Sequence, residues 1–164
     1  YIEGKRSGEA IINALRGIGV SASSARLALA YGPGVRPGDD RVLNQFIEKG
    51  IKGPIDLLDT GLSMRTYGYI SDVVIMLLNI LIKSDHPVYN VGGRSVISIQ
   101  DLAKKISKEM SVAIKIPHSE SPLKGAPQFV GLNLSRIEGE YGIDEYIEIE
   151  QGLKNTIEWI KNYA

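Results

Sequence analysis

The sequence contains no cysteine, which excludes disulfides, thiolate nucleophiles and cysteine-based zinc sites. It carries no excess of charge: 19 Lys+Arg against 19 Asp+Glu give a formal net charge of zero. Bulk electrostatics therefore draw it neither to nucleic acid phosphates nor to an anionic membrane surface. Its histidines, His86 and His118, stand alone beside prolines with nothing spaced to pair them around an ion. They read as loop residues, and no metal site is expected. Long apolar runs are also missing. The longest, "VVIMLLNILI" (73–82), is roughly half of what a bilayer span needs and reads as a buried helix. With no leader segment in view, a soluble, cytoplasmic protein is the expectation. At 164 residues the chain is one ordinary domain or a piece of a larger one, long enough to bury a core.

What is present alternates between helical and extended character. Residues 2–16 read as a helix ended by Gly17 and Gly19, with "SSARLALA" (23–30) as a strand behind it. The breakers of "YGPGVRPGDD" form a loop. In "RVLNQFIEKGI", Val42 and Phe46, with Leu43 and Ile47, fall on one helical stripe. Strands are expected at 55–59 and 66–70. A helix over 73–83 follows, with Asp72 as its cap or first-turn acid. "PVYNVGG" (87–93) reads as a buried strand. Ser98 and Asp101 then open an amphipathic helix through Leu102 and Ile106. "VAIKIP" reads as a strand and "LSRIEGEYG" as a short helix, and a closing helix places Ile157, Trp159 and Ile160 near its buried side. This alternation predicts an α/β fold with at least part of the sheet parallel.

Tyr1, Lys5 and Glu9 recur at intervals of four, which stacks them on one face of the first helix. After them come "ARLALAYGPG", "RVLNQFI", "LLDTGLSMRTYGYISDVV", "VYNVGG", "SIQDLAKKI" and "IEQGLKNTIEWI". This succession resembles the C-terminal half of the extended short-chain dehydrogenases, the NAD-dependent nucleotide-sugar epimerase/dehydratase family. "YIEGKR" is most similar to the UDP-glucuronate decarboxylase branch. The resemblance covers nearly the whole chain. It implies the substrate-binding portion of a Rossmann-type fold, with the N-terminal dinucleotide-binding half missing. No G-x-x-G-x-x-G turn is found to cradle a pyrophosphate. Residues 1–30 would be the tail of the dinucleotide-binding domain and 31–164 the substrate-binding domain.

Oxidising a sugar hydroxyl by hydride transfer requires a base, and a phenol, titrating near ~10, is a poor one at neutral pH. An ammonium one helical turn away stabilises the phenolate. By resemblance Tyr1 is the base, and Tyr1 and Lys5 bind NAD, with Lys5 on the nicotinamide ribose. The 4-keto sugar so formed is an electron sink for epimerisation, elimination or decarboxylation. The resemblance further implies that Arg65 grips the nucleotide diphosphate, as a planar charged fork suits. Arg41 and Val42 approach it at a helix N-terminus, Leu57 packs on the nucleobase, and Lys124 partly replaces a phosphate-binding arginine. The substrate would be a UDP- or dTDP-linked sugar.

Three positions depart from the family pattern. Leu29 stands where the family carries a substrate-contacting asparagine. In "SPLKGAP", Leu123 and Ala126 replace an arginine and an acid. They leave a second expectation open, a non-catalytic nucleotide-sugar-binding or assembly module. Under the first expectation the isolated chain is inactive. Helix 2–16, with Ile2, Ile11, Ile12 and Leu15, has more apolar surface than one sheet flank needs, and a homo-oligomer is expected.

Overall fold

The structure is a computed structural model that describes residues 1–36, 38–118 and 127–163. The expected Lys124, Leu123 and Ala126 lie outside the described residues. Six helices and eight short strands alternate along these residues: α1 Ile2–Gly17, β1 Ser24–Leu27, β2 Leu29–Tyr31, α2 Val42–Lys52, β3 Ile55–Asp56, β4 Met64–Tyr69, α3 Ile70–Ile82, β5 Val88–Val91, β6 Ser95–Ser98, α4 Ile99–Met110, β7 Ile114–Lys115, β8 Phe129–Val130, α5 Ser135–Tyr141 and α6 Ile149–Tyr163.

The expected α/β class with parallel pairing is what forms. β1 runs parallel to β5, β3 to β7, and β2 and β8 both run parallel to β4; β6 pairs antiparallel with β4. The segment 23–30 is two strands rather than one. It pairs with β5 up to Leu27↔Val91, then with β4 from Leu29↔Tyr67 onward. Ala28 is the only residue between them, and its N–H still bonds to the Val91 carbonyl at 2.8 Å. The backbones meet so closely there that only glycine fits opposite: a Cβ on Gly92 would lie 2.6 Å from the Ala28 Cβ, and one on Gly68 would lie 2.9 Å from the Gly92 Cα.

Two cores form on either side of this junction. The larger joins Leu43, Phe46 and Ile47 of α2, Leu102 and Ile106 of α4, and Leu153, Ile157 and Ile160 of α6 around Tyr31, Tyr67 and Tyr69. Each helix delivers residues three and four apart, the spacing that makes one buried stripe. The smaller core joins Val73, Met76 and Ile80 of α3 to Tyr89, Val91, Leu134 and Ile137. The Ser98 cap of α4 forms as expected, its hydroxyl accepting the Asp101 N–H at 3.0 Å. Asp72 sits in the first turn of α3 rather than capping it, because that helix begins at Ile70. Its carboxylate instead accepts the Ile147 N–H at 2.9 Å.

α1 has no buried residue. It is held to the rest by polar contacts: Arg26 donates to both carboxylate oxygens of Glu9 at 2.6 Å, and Arg16 donates to the carbonyls of Ala22 and Asp85 at 2.9 Å. No helix among the described residues is long and apolar enough to cross a membrane.

Candidate functional site

A cleft of about 780 Å³ opens between the N-terminal end of α2, the 57–63 segment and the strands β2 and β4. Its walls are largely apolar, with Leu29, Val42, Phe46, Leu57, Leu62 and Ile99 among them. Two arginines enter it, Arg41 and Arg65. Four of the residues expected to hold a substrate, Arg41, Val42, Leu57 and Arg65, thus line one cavity although they come from three separate segments. Leu29 lines it too, 38% exposed.

The two arginines differ in what they can offer an anion. The Arg41 guanidinium is closed onto Asp39, with Nε 2.9 Å from Oδ1 and Nη2 2.7 Å from Oδ2. Asp39 also accepts the Arg41 N–H at 3.0 Å, the side-chain-to-backbone bond that aspartate makes two residues ahead in turns. The Arg41 fork holds the Asp39 carboxyl well below the usual carboxylate range. Arg41 therefore presents an ion pair to the cleft rather than a bare cation. Arg65 forms no salt bridge among the described residues. Its Nη1 donates to the carbonyls of Met64 at 2.7 Å and Pro127 at 2.9 Å, which fixes the guanidinium plane at the cleft wall. α2 begins at Val42 with no acidic residue in its first turn, but the Asp39 carboxylate on the Arg41 N–H lies directly ahead of it and already meets the positive end of its dipole.

Tyr67 also lines the cleft, and the sequence did not single it out. It is 3% exposed, and its hydroxyl has no hydrogen-bond partner among the described residues. Burial pushes its phenol up to about 12, against a smaller downward pull from Arg65. Strand periodicity was the available signal. Arg65, Tyr67 and Tyr69 alternate along β4 and so share a face.

Tyr1 and Lys5 are brought together but away from this cleft. Tyr1 is the N-cap of α1 and 97% exposed. The Lys5 Nζ stands 5.4 Å from its ring centroid, within cation–π range. Glu9, the third member of that face, is occupied by Arg26. Among the described residues no three His, Asp or Glu side chains converge as a metal site.

The profile of the NAD dependent epimerase/dehydratase family matches residues 1–92, more than half of the chain. The chain belongs to that family. Curated relatives include UDP-glucuronic acid decarboxylase 1 of Arabidopsis thaliana, 27% identical over 169 residues, covering 99% of this chain and 38% of the relative. UDP-glucuronate 4-epimerase 4 of the same plant is 26% identical, covering 99% and 41%. Among solved structures, UDP-glucose 4-epimerase of Thermotoga maritima, in a complex with UDP-glucose, superposes with a TM-score of 0.83 at 26% identity. That match covers 96% of this chain and 52% of the other. UDP-glucuronic acid 4-epimerase of Bacillus cereus, in complex with UDP-glucuronic acid and NAD, gives 0.81 at 20% identity over 98% and 52%. This epimerase/dehydratase family chain thus spans about two fifths of its curated relatives and half of these solved chains, and the α/β fold is theirs.

Proposed function

We propose that the cleft binds the nucleoside diphosphate of a UDP- or dTDP-linked sugar. The protein carrying this chain would be an NAD-dependent epimerase, dehydratase or decarboxylase working through a 4-keto sugar in the cytoplasm. The observation that carries this reading is the convergence of Arg41, Val42, Leu57 and Arg65 on one apolar cavity with one salt-bridge-free guanidinium among the described residues. A planar base needs apolar walls, and Leu57 with its neighbours supplies them. A diphosphate needs fixed donors, and Arg65 supplies those.

Tyr1 and Lys5 fit one end of NAD, a phenol and an ammonium one helical turn apart on an open helix face. When bound, NAD supplies the hydride acceptor. Tyr1 would take the sugar hydroxyl proton, and Lys5 would hold the nicotinamide ribose and favour the phenolate. In this reading residues 1–30 belong with the cofactor side and residues 31–164 with the substrate side.

The test is calorimetric titration with UDP. Arg65→Ala is expected to weaken binding at least about tenfold, the loss of one charge-assisted fork at about 1.5–3 kcal/mol. Unchanged affinity would make Arg65 a bystander and remove the support for a diphosphate site. A second reading, a binding or assembly module without catalysis, is favoured by one observation: Leu29 puts a hydrocarbon side chain in the cleft where the family resemblance implies an asparagine. Leu29→Asn separates the two. A large gain in nucleotide-sugar affinity would favour the module, since the natural residue then forgoes a contact the cleft can make.

A further inference from the structure

Every guanidinium nitrogen of Arg41 has an acceptor within the chain. Nε and Nη2 donate to the Asp39 carboxylate at 2.9 and 2.7 Å, and Nη1 lies 3.4 Å from the Ala30 carbonyl. Nε with Nη2 is an edge that matches two oxygens of one phosphate, and the other such edge, Nη1 with Nη2, shares both its nitrogens with these partners. On Arg65 only Nη1 is engaged; its Nε and Nη2 have no acceptor among the described residues. We propose that Asp39 is an affinity-determining residue: its carboxylate fills the phosphate-matching edge of Arg41, and a diphosphate gains that edge by displacing it.

The displacement rests on the diphosphate reading above and follows from accessibility and charge. Arg41 lines the cleft with its side chain half exposed, so its charge is open to an incoming anion rather than sealed in the core. Its partner is local, two residues back in the same loop, and ion pairs this exposed contribute little net stability. A diphosphate brings more negative charge than one carboxylate. Asp39 also accepts the Arg41 N–H at 3.0 Å, which sets it at the positive end of the α2 dipole. One carboxylate thus neutralises both Arg41 and the helix end, and while it stays there Arg65 is the arginine open to a phosphate.

The experiment titrates this chain and its Asp39→Asn variant with UDP and with uridine at constant ionic strength, with thermal melting as the control for folding. Asparagine keeps an acceptor for the Arg41 N–H and removes the charge. The expected result is UDP binding about three- to tenfold tighter in the variant, uridine binding unchanged, and loss of the gain when Arg41→Gln is added. Weaker UDP binding overturns the proposal, because Asp39 then positions Arg41 instead of competing for it; unchanged binding overturns it as well. A gain shared by uridine, or one that survives Arg41→Gln, also overturns it, since the charge of Arg41 is then not what was released. Should the variant fail to fold, the Arg41 Nε–H resonance of the unmodified chain is followed by NMR. It is expected to move on adding UDP and not on adding uridine, and any other pattern overturns the proposal. If neither the chain nor its variant binds UDP, or Arg65→Ala leaves UDP affinity unchanged, the diphosphate reading itself fails and this inference falls with it.

Discussion

Replacing Tyr89 with phenylalanine removes one oxygen that three groups share. Tyr89 is 1% exposed on β5, and its hydroxyl donates to Glu140, lying 2.7 Å from each carboxylate oxygen. It also accepts the N–H of Asp85 at 2.9 Å and of His86 at 3.0 Å, closing the turn between α3 and β5. The ring stays, so no cavity forms and the change isolates the polar contribution. A hydrogen bond to an ionised carboxylate contributes about 1.5–3 kcal/mol. The Asp85 N–H keeps a second acceptor in Glu140 at 3.2 Å. The expected loss is therefore about 2–3 kcal/mol, read as a lowered midpoint in urea with an unchanged m-value. Burial pushes the Glu140 carboxyl up, but the bonds from Tyr89 and Asp85 outweigh it and leave the group below its usual value. Its contribution to stability is thus complete above the unfolded carboxylate range and disappears as pH falls through the folded value. The gap between wild type and Tyr89→Phe should narrow as pH drops below about 4. A loss under about 0.5 kcal/mol, or a gap that does not change with pH, would refute the assignment of Tyr89 and Glu140 as a charge-assisted pair. The same substitution at Tyr67 is expected to cost no stability, because there the hydroxyl has nothing to lose.

Gly68→Ala should destabilise by about 1–3 kcal/mol in urea unfolding, since its Cβ meets backbone atoms of Gly92 and Gly93 at 2.9–3.0 Å. Gly8→Ala, whose Cβ meets nothing within 4 Å, should raise the helicity of α1 by circular dichroism and leave the global midpoint unmoved, as α1 buries no residue. Calorimetry on this chain with NAD should detect no micromolar binding, because under the proposed function Tyr1 and Lys5 would meet only one end of that molecule. Light scattering at micromolar concentration should show self-association through the apolar residues exposed on α1 and α3, Ile2, Ile11, Leu81 and Ile82 among them. A clean 17.9 kDa monomer would refute that.

The helices were legible because their periodicity reports burial directly. The Phe46–Ile47, Leu102–Ile106 and Ile157–Ile160 stripes are the ones that pack. The missed strands had no such signal. β6 runs straight into the Ser98 cap of α4 with no turn residue to mark its end, and β8 is two residues long with both side chains exposed. The expected strand at 55–59 shrinks to Ile55–Asp56, because Asp59 folds back to accept the Gly61 N–H at 2.8 Å and starts a turn. In the cleft, Arg65 was legible only through the family resemblance of "GLSMRTYGY"; the carbonyls that fix its guanidinium were not. The pairing of Arg41 with Asp39 was not, although "GDDR" carries the two-residue spacing of an aspartate turn. Tyr67 stayed hidden for a plainer reason: a tyrosine whose hydroxyl is paired and one whose hydroxyl is not are the same letter, and only the neighbours of the oxygen tell them apart.

The single residue between β1 and β2 leaves that stretch of chain without slack. Side chains in a strand alternate between faces, so an added or deleted residue inverts everything beyond it. An insertion near Ala28 could not be absorbed as a loop. It would either strip Leu27 from Val91 or turn Leu29 away from Tyr67, trading the sheet that Arg26 ties to α1 against the cleft wall. The length of 24–31 is thereby fixed by two sheets at once, whereas a turn such as the one after β2 answers to neither. Among chains of this fold, changes of length should gather in such turns and avoid the junction, so that the spacing from Arg26 to Tyr31 is a sharper mark of the architecture than the identity of any side chain between them.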